Sequence, residues 1–310
     1  METGEWRATA KYLTYRGLGT AIGRMPEAVA SVVAGGVARA MSRRGGDALA
    51  MNERHMRRVL GSECVDGIQP DAALVRRWSQ RTFTEYSRYW VDGARLPYLD
   101  EDGVRSRFRF ERGEDILRQA ALSGRGVVAA LPHVGSWEWG GAWLALEGMP
   151  MTAVVERLEP PQLFEWFAAQ RAEMGLTAVP LGEEGSSATL VRALKAGVVV
   201  GLVSDRDLVG NGVEVTFFGE KTTLPGGAAT LALRTGAVLL PVVVYSGPGN
   251  WHTGVVHPPL DTTRSGSLRA DVARLTQELA TCFEEFIRRH PEQWHLYQAN
   301  WPSDAAGARP

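Results

Sequence analysis

Two patterns of hydrophobic and polar residues divide the chain. Over about the first 95 residues, apolar side chains recur at the three- and four-residue intervals of amphipathic helices, and alternation of β-branched residues is rare. From about residue 112, short apolar runs alternate with helical patterns. This succession predicts an N-terminal helical segment followed by an α/β core.

The first helical stretch, residues 7–44, places basic residues among its apolar ones. The apolar positions are Trp6, Tyr12, Leu13, Leu18, Ile22, Val29, Val32, Val33 and Val37. Two interpretations remain open: a pair of helices packed on the body of the protein, or a basic amphipathic segment lying on an anionic membrane. A further helix is predicted over residues 71–92. The aromatic stripe of this helix, expected to pack in the core, consists of Trp78, Phe83, Tyr86, Tyr89 and Trp90.

The second half of the pattern predicts a central sheet. The predicted strands are residues 126–131, 152–155, 177–180, 198–204, 213–217 and 238–245. The predicted helices are residues 138–147, 161–174, 187–196, 226–235 and 268–289. The runs at 198–203 and 238–244 are almost continuously apolar, which is typical of strands buried on both faces. We therefore expect a mostly parallel sheet flanked by helices, with a helical region at 1–110, an α/β core at 111–303 and a loose tail at 304–310.

Composition narrows the class of protein. The 310 residues are 45% hydrophobic and 22% charged, which excludes a disordered or collagen-like chain. The two cysteines, Cys64 and Cys282, form neither a disulfide framework nor a CxxC metal motif, and they favour a reduced, cytosolic setting. The longest apolar stretch near the N-terminus, residues 28–38, is shorter than the ~20 residues that a membrane span needs. Because the first residues are acidic, we expect no cleaved signal peptide, and a soluble or peripheral protein.

The net charge of −1 conceals an asymmetry along the chain. Residues 1–60 contain ten Lys and Arg against five Asp and Glu, whereas the remainder contains 24 against 30. A basic N-terminal region therefore precedes a mildly acidic body. Arginine outnumbers lysine 31 to 3, which argues against a generic lysine-rich nucleic-acid binder.

The first predicted strand of the core ends at a candidate catalytic histidine. His133 lies where open α/β sheets bind their ligands, and Glu138 follows it by five positions. The two side chains can cooperate if His133 lies in a loop and a helix begins near Ser136, a plausible N-cap residue. A general base is then possible, because imidazole titrates near neutrality and a carboxylate can fix its tautomer. The alternative is a loop histidine that only forms structural hydrogen bonds.

Three further segments carry charged or glycine-rich sequence at strand ends. Asp205 and Arg206 follow the strand at 198–203, where one acid is able to reach His133 across the sheet edge and Arg206 to bind an anion. Arg157 follows the strand at 152–155 and is able to bind a phosphate or carboxylate. Residues 217–227 lead into a helix N-terminus, a weak anion-site signal. Ordinary solvated strand ends and surface ion pairs remain the alternatives.

Several common chemistries lack their motifs. The sequence contains no G-x-S-x-G, no G-x-G-x-x-G after a strand and no P-loop, which disfavours the usual serine hydrolases, dinucleotide enzymes and P-loop proteins. His252 and His257 lie five positions apart on a predicted strand pair without further ligands. We therefore predict no metal site.

The candidate segments also form an ordered series of motifs. His133 with Glu138 matches an H-x-x-x-x-D/E motif. After it come Glu156-Arg157-Leu158, Asp205-Arg206-Asp207, Phe217-Phe218-Gly219-Glu220, Leu224-Pro225-Gly226, His290-Pro291 and Trp294-His295. From about Tyr86 to Trp301, this series resembles the bacterial lipid A-type (lauroyl/myristoyl) acyltransferase family, and within it the actinobacterial phosphatidylinositol mannoside branch.

The resemblance implies a fold, an activity and a place of action. It implies a glycerolipid acyltransferase-like α/β fold with a long apolar groove. The activity implied is transfer of a palmitoyl-like chain from acyl-CoA to a mannose hydroxyl of a phosphatidylinositol mannoside, without a metal or organic cofactor. Such enzymes act at the cytoplasmic face of the plasma membrane. Another glycolipid acceptor, a lipid-binding protein without chemistry and an acyl-CoA hydrolase remain as alternatives.

The resemblance also assigns residues to the site. His133 matches the catalytic base, Glu138 the acid of the motif, and Asp205 a position where the mannoside branch usually has Glu. Since Asp is one methylene shorter, either the backbone lies closer to His133 or Glu138 orients the histidine. Arg157 matches an arginine of the substrate site. The other substrate-binding residues expected by analogy are Gly135, Ser136, Arg206, Gly219 and Glu220, with the N–H groups near Gly135 as oxyanion donors. No side-chain nucleophile is expected, so transfer is direct, and the basic N-terminal region is expected to dock on anionic lipid.

Overall fold

The protein was analysed as a computed structural model that describes residues 3–62 and 70–306. Cys64 lies outside the described residues. Helices over the N-terminal third confirm the predicted helical segment. In chain order the helices are α1 (Thr3–Arg24), α2 (Glu27–Arg44), α3 (Asp47–Gly61), α4 (Ala72–Arg95), α5 (Glu101–Arg105), α6 (Glu114–Leu122), α7 (Trp137–Leu146), α8 (Pro161–Glu173), α9 (Ser186–Lys195), α10 (Gly227–Thr235), α11 (Leu268–Arg289) and α12 (Pro302–Ala306).

The described residues form a seven-stranded sheet and a separate hairpin. The strands are β1 (Phe108–Arg112), β2 (Val127–Leu131), β3 (Met151–Val155), β4 (Leu176–Pro180), β5 (Val199–Val203), β6 (Val213–Phe217), β7 (Glu220–Leu224), β8 (Val238–Ser246) and β9 (His252–Val256). The sheet order is β1-β9-β8-β2-β5-β3-β4, and each neighbouring pair is parallel except β8 and β9. The prediction of a mostly parallel sheet flanked by helices is confirmed.

The predicted strands do not include β1 and β7, whose sequences are polar, or β9, although a strand pair was expected around His252 and His257. β1 lies at the edge of the sheet and exposes most of its charged side chains. β7 pairs with β6 in an antiparallel hairpin, where the sequence suggested a loop. Phe218 and Gly219 form the turn with φ of 50° and 78°, the left-handed pair that a two-residue hairpin loop favours. The segment is therefore a structural hairpin.

The predicted division of the chain can be compared with these elements. The boundary at residue 110 falls inside β1, which pairs with β9. The tail predicted from residue 304 begins inside α12, where Asp304 is buried. Residues 307–310 lie outside the described residues.

The sheet is buried between two apolar layers. All five residues of β2 are buried, as its position in the middle of the sheet requires. One layer contains Leu279, Phe283 and Phe286 of α11, and the other contains Trp139 and Trp143 of α7. The carboxyl ends of β2, β5 and β3 consequently lie side by side at one edge of a rigid sheet.

Helix α2 is apolar on two sides. Ala30, Ala34 and Ala38, spaced four residues apart, are buried toward α4, and their small side chains permit close packing of the two helices. The opposite side and α1 expose a set of large apolar residues, here called the apolar outer face: Trp6, Leu13, Leu18, Val29, Val32, Val33, Val37 and Met41. Val32 is 71% exposed. The helix pair therefore packs on the body and still presents an unpaired apolar surface, although no helix among the described residues is long and apolar enough to cross a bilayer.

Burial of His55 makes stability depend on pH. Its ring lies between Trp294 and Trp301, its Nε2 donates to the Gln298 carbonyl at 2.9 Å, and burial lowers its pKa from 6.5 to about 4. Between pH 6.5 and 4, His55 therefore binds a proton in the unfolded chain but not in the folded chain. The free energy of unfolding consequently falls as the pH drops through this range. The loss reaches at most about 1.4 kcal/mol per pH unit from this residue.

We predict that His55→Gln reduces the loss of stability at low pH without abolishing it, because burial also lowers the pKa of His252 and of His295 to about 3. The glutamine is expected to retain a donor for Gln298 but does not titrate. Urea unfolding of both proteins between pH 6.5 and 4 provides the measurement. Asp92, whose pKa burial raises to about 6, titrates in the opposite sense in both proteins and cancels in the comparison. An equally steep loss of stability in the variant would contradict the assignment.

Candidate active site

His133 is fixed by its main chain just beyond β2. Its carbonyl accepts a hydrogen bond from the main-chain N–H of His295 at 2.8 Å, and its own N–H donates to Oδ2 of Asp205 at 2.9 Å. The imidazole is 36% exposed, so one edge of the ring faces solvent. The histidine is therefore held as a loop residue at the carboxyl end of a central strand, where the sequence placed it.

Asp205 is the acid that contacts the histidine. Its Oδ1 lies 2.6 Å from Nδ1 of His133, and the indole N–H of Trp294 donates to Oδ2 at 2.8 Å. Burial raises the pKa of Asp205, but the charge and hydrogen bonds of His133, with the Trp294 bond, outweigh it and hold the pKa below its usual value. An ionised Asp205 accepts a hydrogen bond from the Nδ1–H group of His133. In this tautomer Nε2 carries no proton and has a free lone pair.

Glu138 has other partners. It lies in the first turn of α7, buried, where Oε1 accepts hydrogen bonds from Arg171 at 3.0 Å and from the hydroxyl of Tyr89 at 3.2 Å. Burial and the nearby Glu138 charge raise the pKa of Tyr89, so its hydroxyl stays a donor. Asp205 is therefore the acid in contact with His133, whereas Glu138 joins α7 to α4 and α8.

The loop after His133 corrects two expectations. The N–H of Gly135 donates to the Gln293 carbonyl at 3.0 Å and is not free to bind an oxyanion. Gly135 has φ of +61°, and a Cβ there would lie 1.9 Å from the Val244 carbonyl oxygen. Ser136 occupies the N-cap position of α7, but its side chain makes no cap bond; its hydroxyl is buried without a partner among the described residues. Both residues therefore shape the loop through the backbone.

Two arginines lie at the same edge of the sheet as His133. Arg157 follows β3 and is exposed, and Arg206 follows β5 and is half-buried. Neither forms a hydrogen bond or an ion pair with another described residue. Because β2, β5 and β3 are neighbours, these cations lie on the His133 side of the molecule and are available to an anionic ligand.

Gly219 lies in the turn of the β6–β7 hairpin, and Glu220 is the first residue of β7. One carboxylate oxygen of Glu220 pairs with Arg58 at 2.9 Å and the other bonds Ser303. The hairpin is thereby attached to α3 and α12. The structure gives Glu220 partners within the protein, in place of the substrate contact expected by analogy.

An apolar groove is lined in part by Glu138. It encloses about 240 Å³ between α1, α4 and α8. Its apolar walls are built by Tyr15, Leu18, Ile22, Trp90, Pro97, Leu158, Trp166, Phe167 and Met174. Its polar lining consists of Tyr89, Glu138, Gln170 and Arg171. Such a groove fits a slender hydrocarbon chain.

Histidines outside this region have structural surroundings. His252 is buried in β9 and stacks on Trp139 with ring centroids 4.1 Å apart. His257 contacts Arg112 and Glu285. In residues 3–62 and 70–306, no group of three or more His, Cys, Asp or Glu side chains is arranged to hold a metal ion.

Comparison with known proteins gives this geometry a family. Residues 4–303 match the family described as bacterial lipid A biosynthesis acyltransferase. The chain belongs to this family. It is 37% identical to the phosphatidylinositol mannoside acyltransferase of Mycolicibacterium smegmatis over 92% of this chain and 89% of that protein. It is 38% identical to proteins of the same name from two strains of Mycobacterium tuberculosis, over 83% of this chain and 78% of theirs. As a member of the family, the chain is an acyltransferase.

Sequence reasoning gave no individual role to several residues that contact the site. Trp294 donates to the Asp205 side chain, and Asn300 donates to the Asp205 main-chain carbonyl. These two residues follow Asp205 in the sequence by 89 and 95 positions. The sequence assigns Tyr89 to core packing and gives Arg171 no role. Burial of a carboxylate such as Glu138 is the signal that demands such donors, and it is visible only in the fold.

The two acids of this acyltransferase are predicted to contribute differently to the rate. Asp205→Asn presents an amide to Nδ1 of His133 and no longer stabilises the imidazolium, so acyl transfer should fall by about 10²–10⁴-fold. Glu138→Gln leaves the His133–Asp205 contact intact, so its loss in rate should be smaller. Steady-state kinetics of both purified variants provide the test. A greater loss in Glu138→Gln would show that Asp205 is not the working partner of His133.

Proposed function

We propose that the protein transfers a fatty acyl chain from acyl-CoA to a mannose hydroxyl of a phosphatidylinositol mannoside. The observation that carries this proposal is the His133–Asp205 pair, with Nε2 unblocked at the carboxyl end of the central sheet. The names of the relatives support the acceptor. The groove supports an acyl donor with a long apolar chain.

Direct transfer follows from the arrangement. Nε2 of His133 takes the proton of the acceptor hydroxyl as its oxygen attacks the thioester carbonyl. The tetrahedral intermediate collapses by breaking the carbon–sulfur bond, and the imidazolium returns its proton to the departing thiolate. Asp205 remains ionised and stabilises the imidazolium between these steps. The products are the acyl ester and free CoA, with no acyl-enzyme and no cofactor.

The substrates place two different demands on the protein. The acyl chain occupies the groove, where Leu18, Trp90 and Phe167 provide apolar contact. The phosphate groups of the donor and the acceptor lipid are anionic, and Arg157 and Arg206 provide unpaired cations for them. We propose no role in binding for Gly219 and Glu220.

The apolar outer face supports attachment to a membrane surface. It lies on the same helices as a set of exposed basic residues: Arg7, Lys11, Arg16, Arg39, Arg43 and Arg44. Apolar insertion together with anionic lipid attraction is the usual combination for a peripheral helix. We propose that the enzyme acts at the cytoplasmic face of the plasma membrane. α1 also forms a wall of the groove, which would bring the acyl chain next to the bilayer.

We predict that His133→Ala abolishes transfer and leaves the fold intact. Loss of a general base costs about 10²–10⁴-fold. Purified protein is incubated with palmitoyl-CoA and a mixed extract of phosphatidylinositol mannosides, and the products are identified by mass spectrometry. His257→Ala, which replaces a histidine paired with Arg112 and Glu285, serves as the matched control and should retain activity.

The same experiment separates the competing functions. Wild-type turnover by His133→Ala would disprove the mechanism. Acylation of an unmannosylated lipid instead would favour another glycolipid acceptor, and release of free fatty acid alone would favour a hydrolase. Binding of lipid without any turnover by the wild-type protein would favour a non-enzymatic lipid-binding role.

Vesicle binding is predicted to depend on both charge and apolar contact. Reversing the exposed Arg16, Arg43 and Arg44 to Glu should weaken binding to anionic vesicles by about 1 kcal/mol or more per residue. Val32→Asp should weaken binding at any salt concentration, since it removes insertion. Sedimentation with phosphatidylinositol-containing vesicles measures both effects. Reversal of the exposed Arg192, Arg234 and Arg269 on the body is the matched control, and equal losses in both triple variants would contradict the docking surface.

A further inference from the structure

The carboxylate of Asp205 accepts three hydrogen bonds from described residues, and their distribution is unequal. Oδ1 receives only Nδ1 of His133, at 2.6 Å. Oδ2 receives the main-chain N–H of His133 at 2.9 Å and the indole N–H of Trp294 at 2.8 Å. One oxygen thus serves the imidazole, and the other is held by two donors.

We propose that Trp294 is a positioning residue for acyl transfer. Its indole N–H holds Oδ2 so that Oδ1 faces Nδ1 of His133. This inference rests on the proposed function, in which His133 is the general base. Trp294 acts through Asp205, because it is 0% exposed and is not among the residues that line the groove.

The chemistry of indole suits this task. An indole N–H is a donor and never an acceptor, so it binds an oxygen that carries no proton. The two donors to Oδ2 stabilise the ionised carboxylate. The proton between Asp205 and His133 therefore stays on Nδ1 of His133. That tautomer leaves Nε2 free to accept the proton of the acceptor hydroxyl. A phenylalanine at position 294 would fill much of the same space and would leave Oδ2 with only the main-chain N–H of His133.

The position of Trp294 is set by the same segment that fixes the His133 loop. Val134 and Trp294 form an antiparallel bridge. On either side of it, Gly135 donates to the Gln293 carbonyl at 3.0 Å and His295 donates to the His133 carbonyl at 2.8 Å. The segment therefore aligns the base through the backbone and the acid through the indole, in one rigid unit.

A second tryptophan provides a matched control. Trp301 is 2% exposed, packs edge-on against Trp294 and donates its indole N–H to the Phe217 carbonyl at 3.2 Å. Trp301 belongs to the same aromatic cluster as Trp294. Its replacement by Phe likewise removes one indole hydrogen bond. It makes no contact with the Asp205 carboxylate. Effects specific to positioning should therefore appear in Trp294→Phe and not in Trp301→Phe.

The experiment combines kinetics with NMR of the histidine side chains. Trp294→Phe should lower kcat about tenfold, the lower end of the loss seen when a supporting hydrogen bond of a metal-bound histidine is removed. KM for acyl-CoA should change by less than about twofold, because no substrate contact is lost. In protein labelled with ¹⁵N-histidine, the Nδ1 proton of His133 should exchange faster with water than in the wild type. Its assignment comes from its disappearance in His133→Ala and Asp205→Asn.

A further variant separates the loss of the hydrogen bond from a change in packing. Replacing Trp294 by 3-benzothienylalanine keeps the ring and substitutes sulfur for the N–H, and it should reproduce the fall in kcat and the faster proton exchange. Equal effects in Trp294→Phe and Trp301→Phe, or wild-type behaviour of the benzothienyl protein, would overturn the inference. Full activity of His133→Ala would instead refute the proposed function, and the NMR result would remain interpretable without any assay of turnover.

Discussion

The buried charge of Asp205 is the constraint on which the site depends. Removing a carboxylate from water costs several kcal/mol unless donors replace the lost hydration. The donors here come from the end of β2 and from the segment after α11, while Asp205 itself follows β5. Three distant parts of the chain must therefore meet before this charge can be buried. The His133–Asp205 pair is formed by the same contacts that close the carboxyl end of the sheet.

The second buried carboxylate joins the N-terminal helices to the core. Glu138 of α7 is satisfied by Arg171 of α8 and Tyr89 of α4, and these three residues also belong to the polar lining of the groove. Residues of the N-terminal helices therefore line the groove together with residues of the core. α1 contributes residues to both the groove and the apolar outer face, and Leu18 belongs to both sets.

Much of the architecture could be predicted, because apolar periodicity reports burial directly. α11 begins and ends where its pattern does, and the strands at β2, β3, β4, β5, β6 and β8 lie within one or two residues of their predicted bounds. β1 and β7 were not predicted, because an edge strand and a surface hairpin contain few apolar residues. His133 and Asp205 were identifiable as polar residues at the ends of central strands. The choice between Asp205 and Glu138 was not, because nearness in sequence favours Glu138, whereas the pairing of β2 with β5 brings Asp205 to the histidine.

The shorter acid explains why the backbone around it is so closely tied. An aspartate has one methylene fewer than a glutamate with which to span the gap to Nδ1, so the two strand ends must approach each other. They do: the N–H of Ser204 donates to the Leu131 carbonyl at 2.8 Å, which carries the β2–β5 pairing past the last strand residues. The N–H of His133 also donates to the carboxylate itself, at 2.9 Å. Because a short side chain has little freedom to correct an error in the backbone, alignment depends on Gly135, Gln293 and Trp294 to hold the loop. With an aspartate, the position of the His133–Asp205 pair thus depends on the segment that covers the acid.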